Sequence, residues 1–565
     1  MATEGAKVVQ LRDVLVWARP ILSPDKSFFV MAIIYGVAIS LLSLATPISV
    51  QLLINSIANT ALPAPLFTLA AILFVLLALS GVLSAFRSHL MEIFRRRFFA
   101  RLVAEITLRA VHARNPFFND ERSGDLFNRY FDVMNVQKAV PSLLIGLFTI
   151  ILQSAVGFVV TSLYHPIFLA FNLVFILLVW IIWAIWSRGA MTHSVQLSHA
   201  KYHMAHWLES VGGSNGFYKS GRHISFAINK SEELTSRYIA ADIKFFGYSF
   251  SQTVAFLMLY ALASASLLAL GGWLVIERQL SIGQLVAAEL ILSSIFYGTA
   301  QLGPYLDTFY DLVAALEELD LFFAIPQEVP PRNSDRLQTN GELAFANAKI
   351  GDLLLNLTVP SGTKLIAAGD PYVQRTLGLL LKRHRGPDTG FVMLGGADIS
   401  ALDIYRVRSD VIVLDRPSIV ESTIIDYLEL ASPDASANAL MDAIKLVGLE
   451  PQIGRLPDGV HSELSGTGWP LALSDVMRLK FAAAILAQPR ILLLTPLFDI
   501  IPSSVLERML DAFRGTPTTL IYFTNRSEPP TLDGYLWFGR NHQEIVADRT
   551  AFNELRNGGS EAVYV

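Results

Sequence analysis

The sequence predicts a two-part protein: an α-helical membrane bundle of six long helices, followed by an α/β domain of alternating strands and helices. Three observations predict it. Hydrophobic residues are 53% of the 565-residue chain and charged residues only 16%, at a mean hydropathy of +0.46. An ordinary soluble domain carries about a quarter charged residues. The apolar excess also ends near Ala324, and basic residues crowd the long connections between apolar runs while nearly avoiding the short ones.

Taken in order, residues 1–26 read as a lead-in segment whose stretch "VQLRDVLVWARPIL" has helical spacing and fits a membrane surface or the bundle's flank. No continuous apolar core with a small-residue cleavage site follows, so no cleavable signal is expected. Residues 27–324 hold six apolar runs: Phe28–Leu52, Leu66–Phe86, Leu143–Leu163, Ile167–Trp186, Val254–Ile276 and Leu285–Leu306. Each is close to the ~20 residues needed to cross a bilayer. The short connections, "NSIANTALPAP", "YHP" and "ERQLSIGQ", contain Arg278 alone among basic residues. The long ones carry "RRRFFARLVAEITLRAVHAR" and later Arg188, Lys201, Lys219, Arg222, Lys230 and Lys244. Lys and Arg stay on the cytoplasmic side, which places the long connections, both termini and the C-terminal domain there. Those connections keep three- and four-residue apolar spacing, so the helices are expected to run on past the bilayer.

Each long hairpin contains a break, "NPFFNDERSGDLFNRYF" and "ESVGGSNGFYKSGRH". With these breaks, the six spans, and the phrases "FFNDERSGDLFNRYFDVMNVQ" and "GGWLVIERQLSIGQLVA", the chain resembles an ATP-binding-cassette exporter of the fused half-transporter kind. "LATPISVQLLIN" is most similar to the branch that exports peptides and proteins. The resemblance implies a type I exporter bundle, a linker at 325–340, and a P-loop-NTPase-like cassette at 341–565. It also implies that the breaks near Gly124–Asp125 and Gly216–Lys219 dock on cassettes. Within the spans, Glu289 is either a substrate or proton contact, or a residue at the outer interface or paired across the bundle. Gly303 and Pro304 suit a kink in the last span.

Laid on the cassette pattern, the apolar strands persist while the residues at the working positions change. A Walker A loop uses glycines so that backbone N–H groups can wrap phosphates, with a lysine reaching the terminal ones. Starting from Gly369, the later glycine positions fall on Tyr372 and Gln374, the lysine on Arg375, and the magnesium-binding hydroxyl on Thr376. The adenine-stacking aromatic falls on Ile350 and the glutamine on Asp415. The Walker B acids fall on Thr495 and Pro496, neither of which holds a cation or acts as a base. The switch histidine falls on Asn525, or on Thr524 after a one-residue shift. "LSGTG", Leu464 to Gly468, looks like the signature, but counting from the Walker B strand puts the signature at "LALSD", Leu471 to Asp475. There Ala472 takes the serine position, and Asp475 would repel a phosphate.

These positions lead to an expectation of a cassette without ATP hydrolysis, not an enzyme, and with no cofactor unless a partner chain completes a site for ATP and magnesium. Three readings stand: a dimeric coupling component of an export or secretion system, a subunit of a heteromeric ATP-driven exporter, or an ATP-independent carrier, channel or receptor. Expected partners are a second exporter-like chain, identical or not, the bilayer of the inner membrane, and secretion-system proteins. A net charge of −4 gives no nucleic-acid footprint, and the absence of cysteine excludes disulfides, thiol catalysis and cysteine metal sites.

Overall fold

Three helices are far longer than a bilayer requires: α4 (Ala64–Val111) and α7 (Pro166–Gly213) have 48 residues each, and α8 (Gly221–Ile276) has 56. At 1.5 Å per residue they run about 72 to 84 Å, against about 30 Å of hydrocarbon. This computed structural model describes residues 8–59, 64–114, 124–328 and 340–561. The start of the first hairpin break, most of the 325–340 linker and the first seven residues lie outside the described residues. The chain divides into two units, Met1–Gln327 and Glu328–Val565.

In the first unit, α1 (Leu11–Leu22) precedes α2 (Lys26–Leu42) and α3 (Ala45–Asn59). After α4 come a 3-10 segment, Gly124–Phe131, then α5 (Asp132–Ser142) and α6 (Phe148–Tyr164). Among the described residues, six apolar stretches are long enough to span a membrane. Three expected spans are not single α-helices. The first breaks at Ser43–Leu44, because Pro47 has no N–H and its ring crowds the carbonyl four residues back, at Ser43. The third opens with a π-helical turn, Leu143–Leu147, before α6. There Gly146 faces the Tyr305 ring so closely that a Cβ would lie 2.1 Å from it. The sixth separates into α9 (Ile282–Ala300) and α10 (Leu302–Phe323), at the kink expected from Gly303 and Pro304. α9 starts with a capping box, the Ser281 hydroxyl accepting from Gln284 N–H at 3.1 Å and the Gln284 side chain accepting from Ser281 N–H at 3.0 Å.

Below the spans, Tyr310, Phe94, Phe98, Phe322 and Leu316 form a continuous buried core. It explains why the helices continue together outside the bilayer. Asp25, fully buried at the start of α2, is held by Arg101 of α4 at 2.9 Å.

The second unit is a cassette-like α/β domain. Strands β1 (Leu343–Ile350), β2 (Leu353–Val359), β4 (Thr389–Leu394) and β5 (Ala397–Asp398) form an antiparallel sheet in the order β2-β1-β4-β5. A six-stranded sheet combines β3 (Lys364–Gly369), β6 (Val411–Leu414), β9 (Ile491–Leu494), β10 (Thr519–Phe523), β11 (Gly534–Phe538) and β12 (Gln543–Val546). Its order is β12-β11-β3-β10-β9-β6, parallel except for β12. The short strands β7 (Ser422–Thr423) and β8 (Glu463–Leu464) pair separately. Both faces of the parallel sheet are buried, as helix-covered sheets require. Ile366, Leu492, Leu494, Leu520 and Tyr522 face one core, and Leu365, Ala367, Leu493, Ile521 and Phe523 face the other.

Phe481, fully buried on the helix Leu473–Ala487, packs edge-on against Phe513 at 5.6 Å and Phe498 at 6.0 Å. Phe481→Ala is expected to destabilise the cassette by about 3–5 kcal/mol, read from chemical denaturation of the full chain in detergent. A loss below about 1 kcal/mol would show that the ring is not part of the core.

Candidate functional site

Open parallel sheets bind ligands beyond the carboxyl ends of their strands. Gly369 ends β3, Asp415 follows β6, Thr495 and Pro496 follow β9, and Thr524 and Asn525 follow β10. These predicted positions therefore share one edge of the sheet. Ile350 does not: it ends β1 in the other sheet and is fully buried, with no face to offer a base.

The turn after β3 differs from the expected phosphate loop. Helix α11 (Pro371–Leu381) starts two residues after Gly369, so Tyr372, Gln374, Arg375 and Thr376 lie in the helix and not in a loop. Local chemistry explains the early start. Asp370 is the N-cap, its carboxylate accepting from Tyr372 N–H at 2.8 Å, and Pro371 supplies a preset helical φ at the first position. None of the residues Asp370 to Arg375 has a positive φ.

The side chains of Tyr372, Gln374 and Arg375 turn to the helix surface or back onto the strand end. Tyr372 is 41% exposed and lies under the Arg540 guanidinium, 5.9 Å from the ring centre. Gln374 folds back and donates to Gly369 O at 2.8 Å. Arg375 is exposed, while Thr376 is buried in the helix and directs no exposed hydroxyl to the edge. Gly369 has a packing reason of its own, because a Cβ there would sit 2.6 Å from Phe538 O on β11. Arg540 also pairs with Asp370 at 3.1 Å. The Tyr372 N–H first, and Arg540 second, hold the Asp370 carboxyl below its ordinary value.

The other loops along the edge are closed by internal bonds. Asp499, which the sequence reading passed over, accepts from the Tyr522 hydroxyl, from Thr524 Oγ1 at 2.7 Å and from Asn525 N–H at 2.9 Å. Arg526 reaches back to Asp499 O at 2.8 Å and to Ile501 O. The loops after β9 and β10 are thus tied together. Thr495 donates to Leu414 O at 3.0 Å, and Asp415 pairs with Lys382 at 3.0 Å. No sequence motif marks Asp499. The Asp-Pro pair at 370–371, by contrast, is a readable helix-start signal.

At the predicted signature, Ala472 is the N-cap of the helix Leu473–Ala487 and offers no side-chain cap. Asp475 faces no open phosphate position: it is 8% exposed and paired with Arg478 at 3.0 Å. In "LSGTG", Leu464 belongs to β8 and the rest is loop. In the membrane unit, Glu289 is half-buried on α9 and accepts from the Ser293 hydroxyl at 2.9 Å. Gly124 and Asp125 open the 3-10 segment of the first hairpin. Gly216 caps a second one, Phe217–Lys219, where the Phe217 ring stacks on His223 at 4.1 Å.

Residues 29–215 match the family described as ABC transporter transmembrane region. The fold matches a bacterial Atm1-family ABC exporter solved with ATP bound, at a TM-score of 0.79, covering 96% of this chain and 98% of that one at 17% identity. The chain is ABC-exporter-like in fold, with six apolar stretches long enough to cross a membrane among its described residues. Among relatives, the exporter-like chain is 21% identical to the lactococcin-A transport/processing ATP-binding protein LcnC of Lactococcus lactis, across 94% of its own length and 74% of that protein's. It is 21% identical to the transport/processing ATP-binding protein ComA of Streptococcus pneumoniae, across 90% of its own length and 72% of that protein's. It is 27% identical to the alpha-hemolysin translocation ATP-binding protein HlyB of Escherichia coli O157:H7, over 40% of its own length and 33% of that protein's.

These relatives correct one expectation. Proteins aligned with nearly the whole exporter-like chain are ATP-binding transport proteins, and the reading of the chain as no enzyme does not stand against them. The physical reason is one of magnitude. Displacing a helix cap such as Asp370 costs only about 0.5–2 kcal/mol. Replaced side chains in the edge loops leave the buried strands of the cassette in place, and so do not by themselves carry that reading.

Asp370 gives a pH prediction. Its folded-state pKa is lowered, so its contribution is complete above the ordinary value of 3.8 and is lost as pH falls from there through the folded value. Thermal melts of the wild type are expected to show this acid-side loss, and Asp370→Asn to flatten it. Equal slopes in the two proteins would show that the cap is not formed.

Proposed function

We propose that the chain is one subunit of an ATP-driven exporter of peptides or proteins, paired with a second cassette-bearing chain in the cell's inner membrane. Alignment over 94% of the chain with a transport/processing protein carries the reading. Both termini and the cassette lie on the cytoplasmic side, supported by the basic long connections. In this reading ATP would sit between the two cassettes, with its magnesium held by a carboxylate on the partner's own sheet edge, since Thr495 and Pro496 at the end of β9 offer none. This favours an unlike partner over a second identical copy. The two 3-10 segments, at Gly124–Phe131 and Phe217–Lys219, carry the coupling to the cassettes.

The deciding experiment purifies the tagged chain from its own host in detergent, identifies the chain that accompanies it, and measures ATP turnover. A co-purifying cassette chain is expected, with turnover lost when that partner's Walker lysine is changed and altered less than about threefold by Arg375→Ala. Recovery of a homodimer whose turnover collapses on Arg375→Ala would overturn the unlike-partner reading. The natural absence of cysteine allows a clean second check. A single cysteine at Ser220 is expected to be labelled from the cytoplasmic side and to crosslink to a cassette cysteine. Labelling from outside would reverse the orientation.

A further inference from the structure

Beyond the spans, one imidazole and two carboxylates converge between α7 and α10. His199 Nε2 lies 3.0 Å from Glu317 Oε2 and 3.9 Å from Glu318 Oε1. One ligand atom from each of the three residues lies within 4.8 Å of the others. Donors around a tetrahedral zinc ion, at about 2.0–2.2 Å from it, stand about 3.4 Å apart, and the two measured separations bracket that spacing. The sites are also graded in access. The Glu318 side chain is fully enclosed, that of Glu317 is 18% exposed and that of His199 is 44% exposed, which leaves an entry on the imidazole side.

A second observation concerns Glu318. Its Oε1 accepts from Ser198 Oγ at 3.0 Å, but its Oε2 receives no hydrogen bond. Arg129 Nε forms an ion pair with that oxygen at 2.9 Å without the alignment of a hydrogen bond, and the oxygen nearer His199 is Oε1. Buried polar atoms without a hydrogen bond are uncommon and costly. His203 adds a further imidazole one turn along α7, at the i, i+4 spacing that places two histidines on one helix face.

We propose that His199, Glu317 and Glu318 form a binding site for a divalent transition-metal ion that pins α7 to α10 outside the bilayer. A neutral imidazole with two carboxylates suits zinc among the first-row ions. The two carboxylates offset the dication, and Arg129 lies against the other oxygen of Glu318. The proposal does not depend on what the cassette does, since all the residues belong to the first unit.

The test uses the full chain in detergent, with affinity tags removed and metals stripped, titrated with zinc by calorimetry and checked by elemental analysis. One zinc per chain is expected in the wild type. His199→Ala and Glu317→Gln are each expected to weaken it at least about tenfold. Glu233→Gln, at an exposed ion pair with Lys230 and Arg237, is expected to leave it unchanged. Failure of the wild type to bind zinc saturably, or unchanged binding in both ligand variants, would overturn the proposal. Should either variant misfold, X-ray absorption of the zinc-loaded wild type decides: a first shell of oxygen and imidazole nitrogen supports the site, and a shell without imidazole overturns it.

Discussion

The bilayer gives a peptide group nothing to bond to, and that constraint shapes the first unit. Every apolar run closes its hydrogen bonds along its own axis. Once closed, helices such as α4 have no reason to stop at the membrane surface. They continue as long as an apolar stripe finds a partner, which Tyr310, Phe94 and Phe322 provide. Interruptions come where a residue cannot donate: Pro47 behind the break at Ser43–Leu44, and Pro304 behind the break at Gln301. Each proline removes an N–H at a point where the chain must change direction, so the same constraint that builds the rods also sets their joints.

The cassette follows a different logic. Its parallel sheet is buried on both faces, so its apolar strands are fixed by packing and tolerate little change. The loops at the carboxyl edge are not fixed that way. Each must satisfy its own polar groups, and here carboxylates do much of that. Asp370 caps α11, Asp499 joins two loops, and Asp415 holds Lys382. The edge keeps its position in the fold while its bonding is largely internal.

The two parts were unequally legible in the sequence. The six spans, the basic hairpins and the buried strands follow from local periodicity and charge, and these appear where expected. The breaks were readable only in part: Gly303 and Pro304 signalled the last one, but Pro47 sat unremarked inside an apolar run. At the cassette edge, Thr495, Asp415 and Asn525 lie just beyond the ends of strands. The conformation between them was misread. Counting Tyr372 and Gln374 as loop positions assumed a wide turn after β3, whereas the Asp-Pro pair starts the helix at once. Asp475, expected to face and repel a phosphate, pairs instead with Arg478, three residues along the same helix. The His199 cluster depends on residues more than one hundred positions apart, and no spacing rule joins them.

The early start of α11 also bears on how a nucleotide would be received. A phosphate approaching the N-terminus of that helix meets a site already occupied by a carboxylate, since Asp370 and a phosphate compete for the same Tyr372 N–H. The exchange is one anion for another at a positive helix end, so the favourable dipole serves either. Arg540 strengthens the resident carboxylate but is itself half exposed, with 53% of its side chain accessible, so solvent screens the pair and limits its worth. The balance therefore turns on how many donors the incoming phosphate gains beyond Tyr372. A loop of glycines offers several N–H groups at once, and a helix begun at Pro371 offers fewer, because Pro371 has no N–H and the later ones turn inward. This helix end alone therefore offers a phosphate few donors, and that is why the proposed pairing looks to a second chain for the rest.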